Sequence, residues 1–184
     1  MLGLLKRAIF YLSAHSRKSK ISFFSKYLNS EHIVLGQRVS IGGGSVLFPI
    51  RDYAGTSFDA KIEIADDVYI GHQSQLHCIG SLHVGRGSVI SDYVYISDVA
   101  HGLLPTGGLI MAQPLETKGP VHIGENCFIG YGVAVMPGVA LGSGCVVAAR
   151  AVVTKSFPPY SMLVGSPPRM VKTFDFEKDA WVAV

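Results

Sequence analysis

From Leu35 onward an aliphatic residue recurs every six positions, often followed at once by glycine. Leu35-Gly36, Ile41-Gly42 and Leu47 share one phase; Ile64, Ile70-Gly71 and Leu76 share a second; Val84-Gly85, Ile90 and Ile96 share a third. Ile123-Gly124, Ile129-Gly130, Val135, Leu141-Gly142, Val147 and Val153 then run six hexads without a slip. Four positions after these aliphatics comes a small residue: Val39, Ser45, Val68, Ser74, Ser88, Val94, Ala100, Cys127, Val133, Val139, Cys145, Ala151. A helix repeats about every 3.6 residues and a strand every two, so neither yields this period. A chain that turns a corner after each short strand does. Three hexads then make one triangular coil of a parallel β-helix, with one large and one small inward side chain per hexad. The 21 glycines among 184 residues exceed the usual share of about 7%, and this reading makes them corner residues with positive φ. Cys127 and Cys145 fall on the small inward position of consecutive coils, 18 residues apart.

Composition narrows the function classes. Hydrophobic residues make up 48% and charged residues 16%, against roughly 25% charged in an average globular chain. That excludes disorder and points to surface hidden against other subunits or a membrane. The net charge of +3 is spread along the chain, without the basic block of a nucleic-acid binder. Three cysteines, Cys78, Cys127 and Cys145, suit neither a disulfide framework nor a zinc motif, so a reducing, cytoplasmic setting is expected. Residues 1–30 read as an N-terminal helical segment whose apolar clusters (Leu4, Leu5, and Ala8 to Leu12) are broken by Lys6, Arg7, Arg17, Lys18, Lys20 and Lys26. Its apolar run is too short to cross a bilayer or form a signal-peptide core. It suits packing against the body or weak contact with an anionic membrane surface. Residues 31–172 form the coiled domain and 173–184 a tail, in which Trp181 packs on the prism or a neighbour.

Loops that interrupt a regular scaffold often hold binding and catalytic groups. The first interruption, Phe48 to Lys61, contains Arg51, Asp52, Tyr53, Thr56 and Asp59 and reads either as an excursion shaping an acceptor site or as a surface hairpin. The second opens after Ile96-Ser97-Asp98-Val99-Ala100-His101 and runs over 101–120 before the hexads resume at Ile123. With Ala100 on the small inward position, His101 points out at a corner. An imidazole there can serve as a general base, being largely neutral and proton-accepting near neutral pH. His72, Gln73, Gln75 and His77, on the preceding coil, are outward polar residues within reach of a sugar.

The stretch from Ile96 to Gly102, followed by Lys118-Gly119-Pro120-Val121 and Ile123-Gly124-Glu125-Asn126, resembles the hexapeptide-repeat acyltransferases. It is most similar there to the sugar O-acetyltransferases of bacterial surface-polysaccharide synthesis and to the galactoside and maltose acetyltransferases. The resemblance covers about Leu35 to Lys172 and implies an all-β fold, a left-handed β-helix with a protruding loop. It also implies acetyl-CoA as donor, a carbohydrate acceptor, no metal, and a homotrimer with active sites between subunits. It assigns His101 as catalytic base. Val99 stands where many polysaccharide members carry a second histidine, a departure that bears on a relay around His101 and not on its primary role. Val153-Thr154-Lys155, Pro158-Pro159-Tyr160 and Gly165 to Lys172 are similar to the ending shared by acetyl-CoA-dependent members. The resemblance thereby marks Ala149, Thr154 and Lys155 as donor contacts, Arg169 and Lys172 as phosphate contacts, and Tyr131 as close to the acetyl group. Gln73, Gln75 and Asp98 are its acceptor contacts.

Two other readings compete. His72 and His77 have the five-residue separation of the γ-class carbonic anhydrases, in which three histidines with an open fourth position hold zinc for hydration of carbon dioxide. Upstream, however, only His32 is offered, and the long loop opened by His101 goes unexplained. A hexapeptide-repeat prism can also be a scaffold without catalysis, since fold does not dictate function.

Overall fold

The computed structural model describes residues 2–184; the side chains of residues 2–4 and 7, Leu4 and Arg7 of the basic segment among them, lie outside the described set. The chain winds as a left-handed parallel β-helix with three faces. Face I stacks Lys20–Ile21, Ser40–Ile41, Tyr69–Ile70, Val89–Ile90, Phe128–Ile129, Val146–Val147 and Ser161–Gly165. Face II stacks Lys26–Tyr27, Val46–Pro49, Gln75–Cys78, Tyr95–Ser97, Ala134–Val135 and Val152–Val153. Face III stacks Ile33–Leu35, Lys61–Ile64, Ser81–Val84, Val121–Ile123 and Ala140–Leu141.

The hexad aliphatics occupy equivalent register positions. Ile41, Ile70, Ile90, Ile129 and Val147 pair in sequence on face I, and Leu47, Leu76, Ile96, Val135 and Val153 on face II. All are buried, as are the small residues at the corners, with one exception. Ala100 is exposed, because the chain has already left the coil after Ser97; Asp98 is the buried residue there.

The glycines act differently from the sequence expectation. Gly85 and Gly124, directly after their aliphatics, do not adopt positive φ; a Cβ on Gly85 would come within 2.5 Å of the Gly124 carbonyl carbon, and one on Gly124 within 2.5 Å of the Ser143 nitrogen. They let successive coils touch. The left-handed conformation falls two residues later, at Gly87, Asn126 and Gly144 on this corner and at Gln73, Tyr93 and Arg150 on another. Inward serines bond along the axis: Ser45 Oγ donates to the Gly71 carbonyl (2.8 Å) and accepts from the Ser74 N–H (3.2 Å), and Ser74 Oγ donates to the Ser91 carbonyl. Cys127 and Cys145 are buried free thiols that face the carbonyls of Gly142 and Pro158. The adjacent Cys145 sulfur and burial push the Cys127 thiol well up, and burial and Asp98 push Cys78 up to about 12, so neither is a ready nucleophile.

Both ends depart from the expected boundaries. The α-helix covers Leu2–Ser16 (α1), and Lys20–Ile21 and Lys26–Tyr27 already belong to the prism, so coiling starts near residue 20, well before 31. These two-residue strands sit in a stretch too short to show a hexad rhythm. Phe10 and Ala14 of α1 cover the open end of the core, the Phe10 ring tilted against Tyr27 with centroids 5.0 Å apart. At the other end Ser161–Gly165 turns back into Pro168–Asp175 and Ala180–Ala183, an antiparallel meander on face I. The tail is therefore sheet, with Trp181 against Phe174 at 5.6 Å. No helix among the described residues is long and apolar enough to cross a membrane.

On the outer side of face III, His83 and His122 stack at 4.8 Å with planes 6° apart. Burial, then the neighbouring His83, hold His122 below the ordinary imidazole value of 6.5, and burial does the same for His77. A histidine with a depressed folded-state value resists protonation, so its contribution to stability is present above about 6.5 and is lost as pH falls through the folded value. The melting temperature should accordingly drop as pH is lowered below 6.5, and His122→Gln should flatten that slope. An identical slope in the variant would exclude His122 as its source.

Candidate active site

Both interruptions leave the prism at the corner between faces II and III. The first departs after Pro49, whose strand partner is Cys78; the second departs after Ser97, whose partner is His77. Between them the middle coil turns directly through Ile79 and Gly80. The excursion at 48–61 is a hairpin of Asp52–Tyr53 against Thr56–Ser57. The loop at 101–120 opens with Ala100–His101 paired antiparallel to Leu115–Glu116. Gln113 holds that loop together from within: its Oε1 accepts from the Leu104 N–H at 3.0 Å and its Nε2 donates to the Leu104 carbonyl at 3.1 Å.

Hairpin and loop meet at His101. The Tyr53 ring packs edge-on against the imidazole, centroids 5.7 Å apart, and the Tyr53 hydroxyl donates to the Met111 carbonyl at 3.0 Å. His101 is exposed, and among the described residues neither of its nitrogens has a hydrogen-bond partner. A neutral imidazole in that position can take a proton from a ligand. Tyr53 gave no signal of this role, since the sequence does not show which way a hairpin leans.

Asp98 lies beneath the loop. It was expected among the acceptor contacts, yet it is 0% exposed and spends both oxygens on backbone: Oδ1 accepts from the Ile79 N–H at 2.8 Å and Oδ2 from the Gly80 N–H at 2.9 Å. Burial raises its carboxyl above the ordinary range, opposed in part by those bonds. It is a brace for the corner from which His101 departs. Gln75 is half-buried on face II, within 3.2 Å of His77 Nε2, and His77 lies in an aromatic column between Phe48 and Tyr95 at 6.0 and 6.1 Å. Gln73 is exposed on the corner between faces I and II, next to His72, whose Nδ1 lies 3.4 Å from Asp92. Among the described residues no three His, Cys, Asp or Glu side chains of the one chain converge as metal ligands.

The expected donor residues fall into three places. Thr154 and Lys155 sit on the II/III corner two strands beyond Ser97, about 10 Å along the axis; Lys155 Nζ lies 5.5 Å from the Phe157 ring centroid. Beside them a groove of about 550 Å³ runs over the last strand of face III between His122, Ser156 and Pro159. Tyr131 and Ala149 stack on the I/II corner, where Tyr131 contacts Tyr93 at 5.3 Å and the Arg150 guanidinium at 5.0 Å. Arg150 was absent from the sequence expectation, although coil spacing places it over Gly132. Arg169 and Lys172 are exposed on the C-terminal meander and form no ion pair among the described residues. Within one chain these groups therefore lie apart, on the II/III corner, the I/II corner and the C-terminal meander.

Residues 120–155 match the family described as hexapeptide repeat of succinyl-transferase. Over 149 residues, 81% of this chain and 47% of the relative, the sequence is 30% identical to a protein of Mycobacterium tuberculosis named a probable acetyltransferase. It is 29% identical over 126 residues to an Escherichia coli K12 protein named for lipopolysaccharide biosynthesis O-acetyl transfer, covering 65% of this chain and 64% of that one. The chain thus spans between about half and just under two thirds of these relatives. Among solved structures, a point mutant of AntD, an N-acyltransferase from Bacillus cereus, in complex with dTDP and coenzyme A superposes with a TM-score of 0.69 at 20% identity, over 86% of this chain and 82% of that one.

Asp98→Asn would present an amide N–H₂ to one of two buried backbone donors. The variant should lose about 1–3 kcal/mol of stability, read from urea unfolding; an unchanged midpoint would remove Asp98 from the bracing role.

Proposed function

We propose that this chain, whose repeat, fold and relatives are those of the hexapeptide-repeat acyltransferases, transfers the acetyl group of acetyl-CoA to a sugar hydroxyl in bacterial surface-polysaccharide synthesis, in the cytoplasm. The observation that carries this reading is the meeting of hairpin and loop around His101 on the corner that also bears Thr154 and Lys155.

His101 takes the proton of the acceptor hydroxyl as its oxygen attacks the thioester carbonyl; a backbone N–H at the corner stabilises the oxyanion; coenzyme A leaves as thiolate and is protonated by the imidazolium. Tyr53 fixes the imidazole, and the edge-to-face Phe48–His77–Tyr95 column with Gln75 offers the sugar an aromatic and polar surface on face II. Cys78, Cys127 and Cys145 are buried inside the prism, and direct transfer needs no covalent acyl intermediate.

The donor is a polyanion at one end, and Lys155, Arg169, Lys172 and Arg150 supply cations to meet its phosphates. Residues 126–174 contain those four basic side chains and no Asp or Glu. Their scatter over three places is resolved in a homotrimer, where one prism's II/III corner faces another's I/II corner and brings Tyr131 and Ala149 to the acetyl group. Tyr69, Val89 and Phe128, outward on face I, and Leu104, Leu109 and Met111 at the loop tip are exposed apolar side chains that such neighbours would cover.

His101→Ala should reduce turnover by roughly 10²–10⁴-fold with acetyl-CoA affinity almost unchanged; thiol release from acetyl-CoA with a panel of sugars and nucleotide sugars measures it, and near-normal turnover would overturn the assignment. Lys155→Ala and Arg169→Ala should each weaken coenzyme A binding, by roughly tenfold for a lost charge-assisted contact. Titration calorimetry showing wild-type affinity in both would place the phosphates elsewhere.

A further inference from the structure

Helix α1 has two apolar edges. Phe10 and Ala14 point into the prism, while Leu5, Ile9 and Leu12, spaced at i, i+4 and i+7, form a largely exposed stripe on the other side, Ile9 at its edge lining a groove with Glu31 and Ile33. Beside the helix, in the turn between the first two strands, Phe23 and Phe24 project outward, with Phe23 5.9 Å from Tyr11. These five side chains run from 56% (Ile9) to 85% (Phe24) exposed. Five large apolar groups at one end of a prism exceed the scattered exposure that any soluble surface carries.

Charge is as uneven as hydropathy. Residues 1–30 hold six Lys and Arg and no Asp or Glu, whereas residues 31–184 hold ten Lys and Arg against thirteen Asp and Glu. Lys18, Lys20 and Lys26 are exposed at the capped end, and Lys6 is bonded to Glu31, the first acidic residue of the chain. An apolar stripe with aromatic tips, set among cations with no acidic group on the same segment, is complementary to a bilayer interface bearing anionic headgroups. The stripe enters the acyl boundary and the lysines meet the phosphates.

We propose that the capped end of the prism, through Leu5, Ile9, Leu12, Phe23 and Phe24 and the surrounding lysines, docks peripherally on an anionic lipid bilayer. The His101 corner lies three strand spacings, roughly 14 Å, above the lowest coil, so a docked prism holds it close to the headgroup layer, in reach of a sugar carried on a lipid. That consequence rests on the function proposed above; the docking does not, and its test uses no activity.

The full chain is mixed with vesicles of phosphatidylglycerol and phosphatidylethanolamine, or of phosphatidylcholine alone, and sedimented. Binding to the anionic vesicles only, reversed by high salt and weakened at least roughly tenfold in the Phe23→Ser/Phe24→Ser double variant, is the expected result. Leu12→Ser serves as a second, independent variant, and thermal melting checks that both remain folded. Three outcomes would overturn the proposal: no binding to anionic vesicles, equal binding by folded variants, or self-association in light scattering that the variants abolish, which would make the end a contact between copies.

Discussion

Ile41 rests on Ile70, Ile70 on Ile90, Ile90 on Ile129 and Ile129 on Val147, each pair one strand spacing apart in parallel register. Backbone hydrogen bonds run along the same axis, so each coil is both the template and the load of the next. This stacking dictates the rest. It demands a bare Cα where coils come closest, as at Gly85 and Gly124, and a left-handed residue two positions later to turn the corner. It also leaves inward corner polar groups with one direction in which to bond, and Ser45 and Ser74 use it. A side chain of different size at an inward position disturbs two neighbouring coils at once, since interiors are close-packed.

Inward columns were legible from the sequence because they repeat. A six-residue period with an aliphatic at each step has few physical solutions, and the stacking of Cys127 and Cys145 on consecutive coils could be named from it. Features that occur once were not legible. Lys20–Ile21 and Lys26–Tyr27 are single short strands, with no upstream hexad to set their phase, and the C-terminal meander abandons the period altogether. Ala100 was placed inside by extending the rhythm one step too far; the chain had already departed at Ser97, and Asp98 took the buried place because its two oxygens satisfy the Ile79 and Gly80 N–H groups. The glycines were located correctly and explained wrongly: those after the aliphatics serve close approach, and positive φ is handled as often by Asn126, Tyr93 or Arg150 as by glycine.

The candidate site shows the same division. His101 was legible as the residue at a break, whereas its surroundings depend on how two insertions from different coils lean. A hairpin leaving after Pro49 and a loop leaving after Ser97 share a corner because both follow face II, and the tight turn at Ile79–Gly80 between them leaves room for Tyr53 to reach His101 and Met111. Asp98 links these facts: the carboxylate that holds the tight turn is three residues before the imidazole, so the geometry of the bare coil and the departure of the loop are set by one side chain. Sequence spacing places both residues in one stretch but does not reveal that one faces inward and the other out.

Charge along the axis gives the molecule a direction. The capped end is basic, residues 31–125 carry ten acidic against five basic side chains, and residues 126–174 carry four basic and none acidic. In a β-helix, sequence order is height along the axis, so these are three zones. On the function proposed above, coenzyme A, with its phosphates at one end and its acyl group at the other, would set its phosphates toward the basic last coils and its thioester toward the acidic middle, where His101 lies. The acidic middle separates those last coils from the basic capped end. In that proposal an acceptor reaching His101 from the capped end and a donor held by the last coils would occupy one corner from opposite directions.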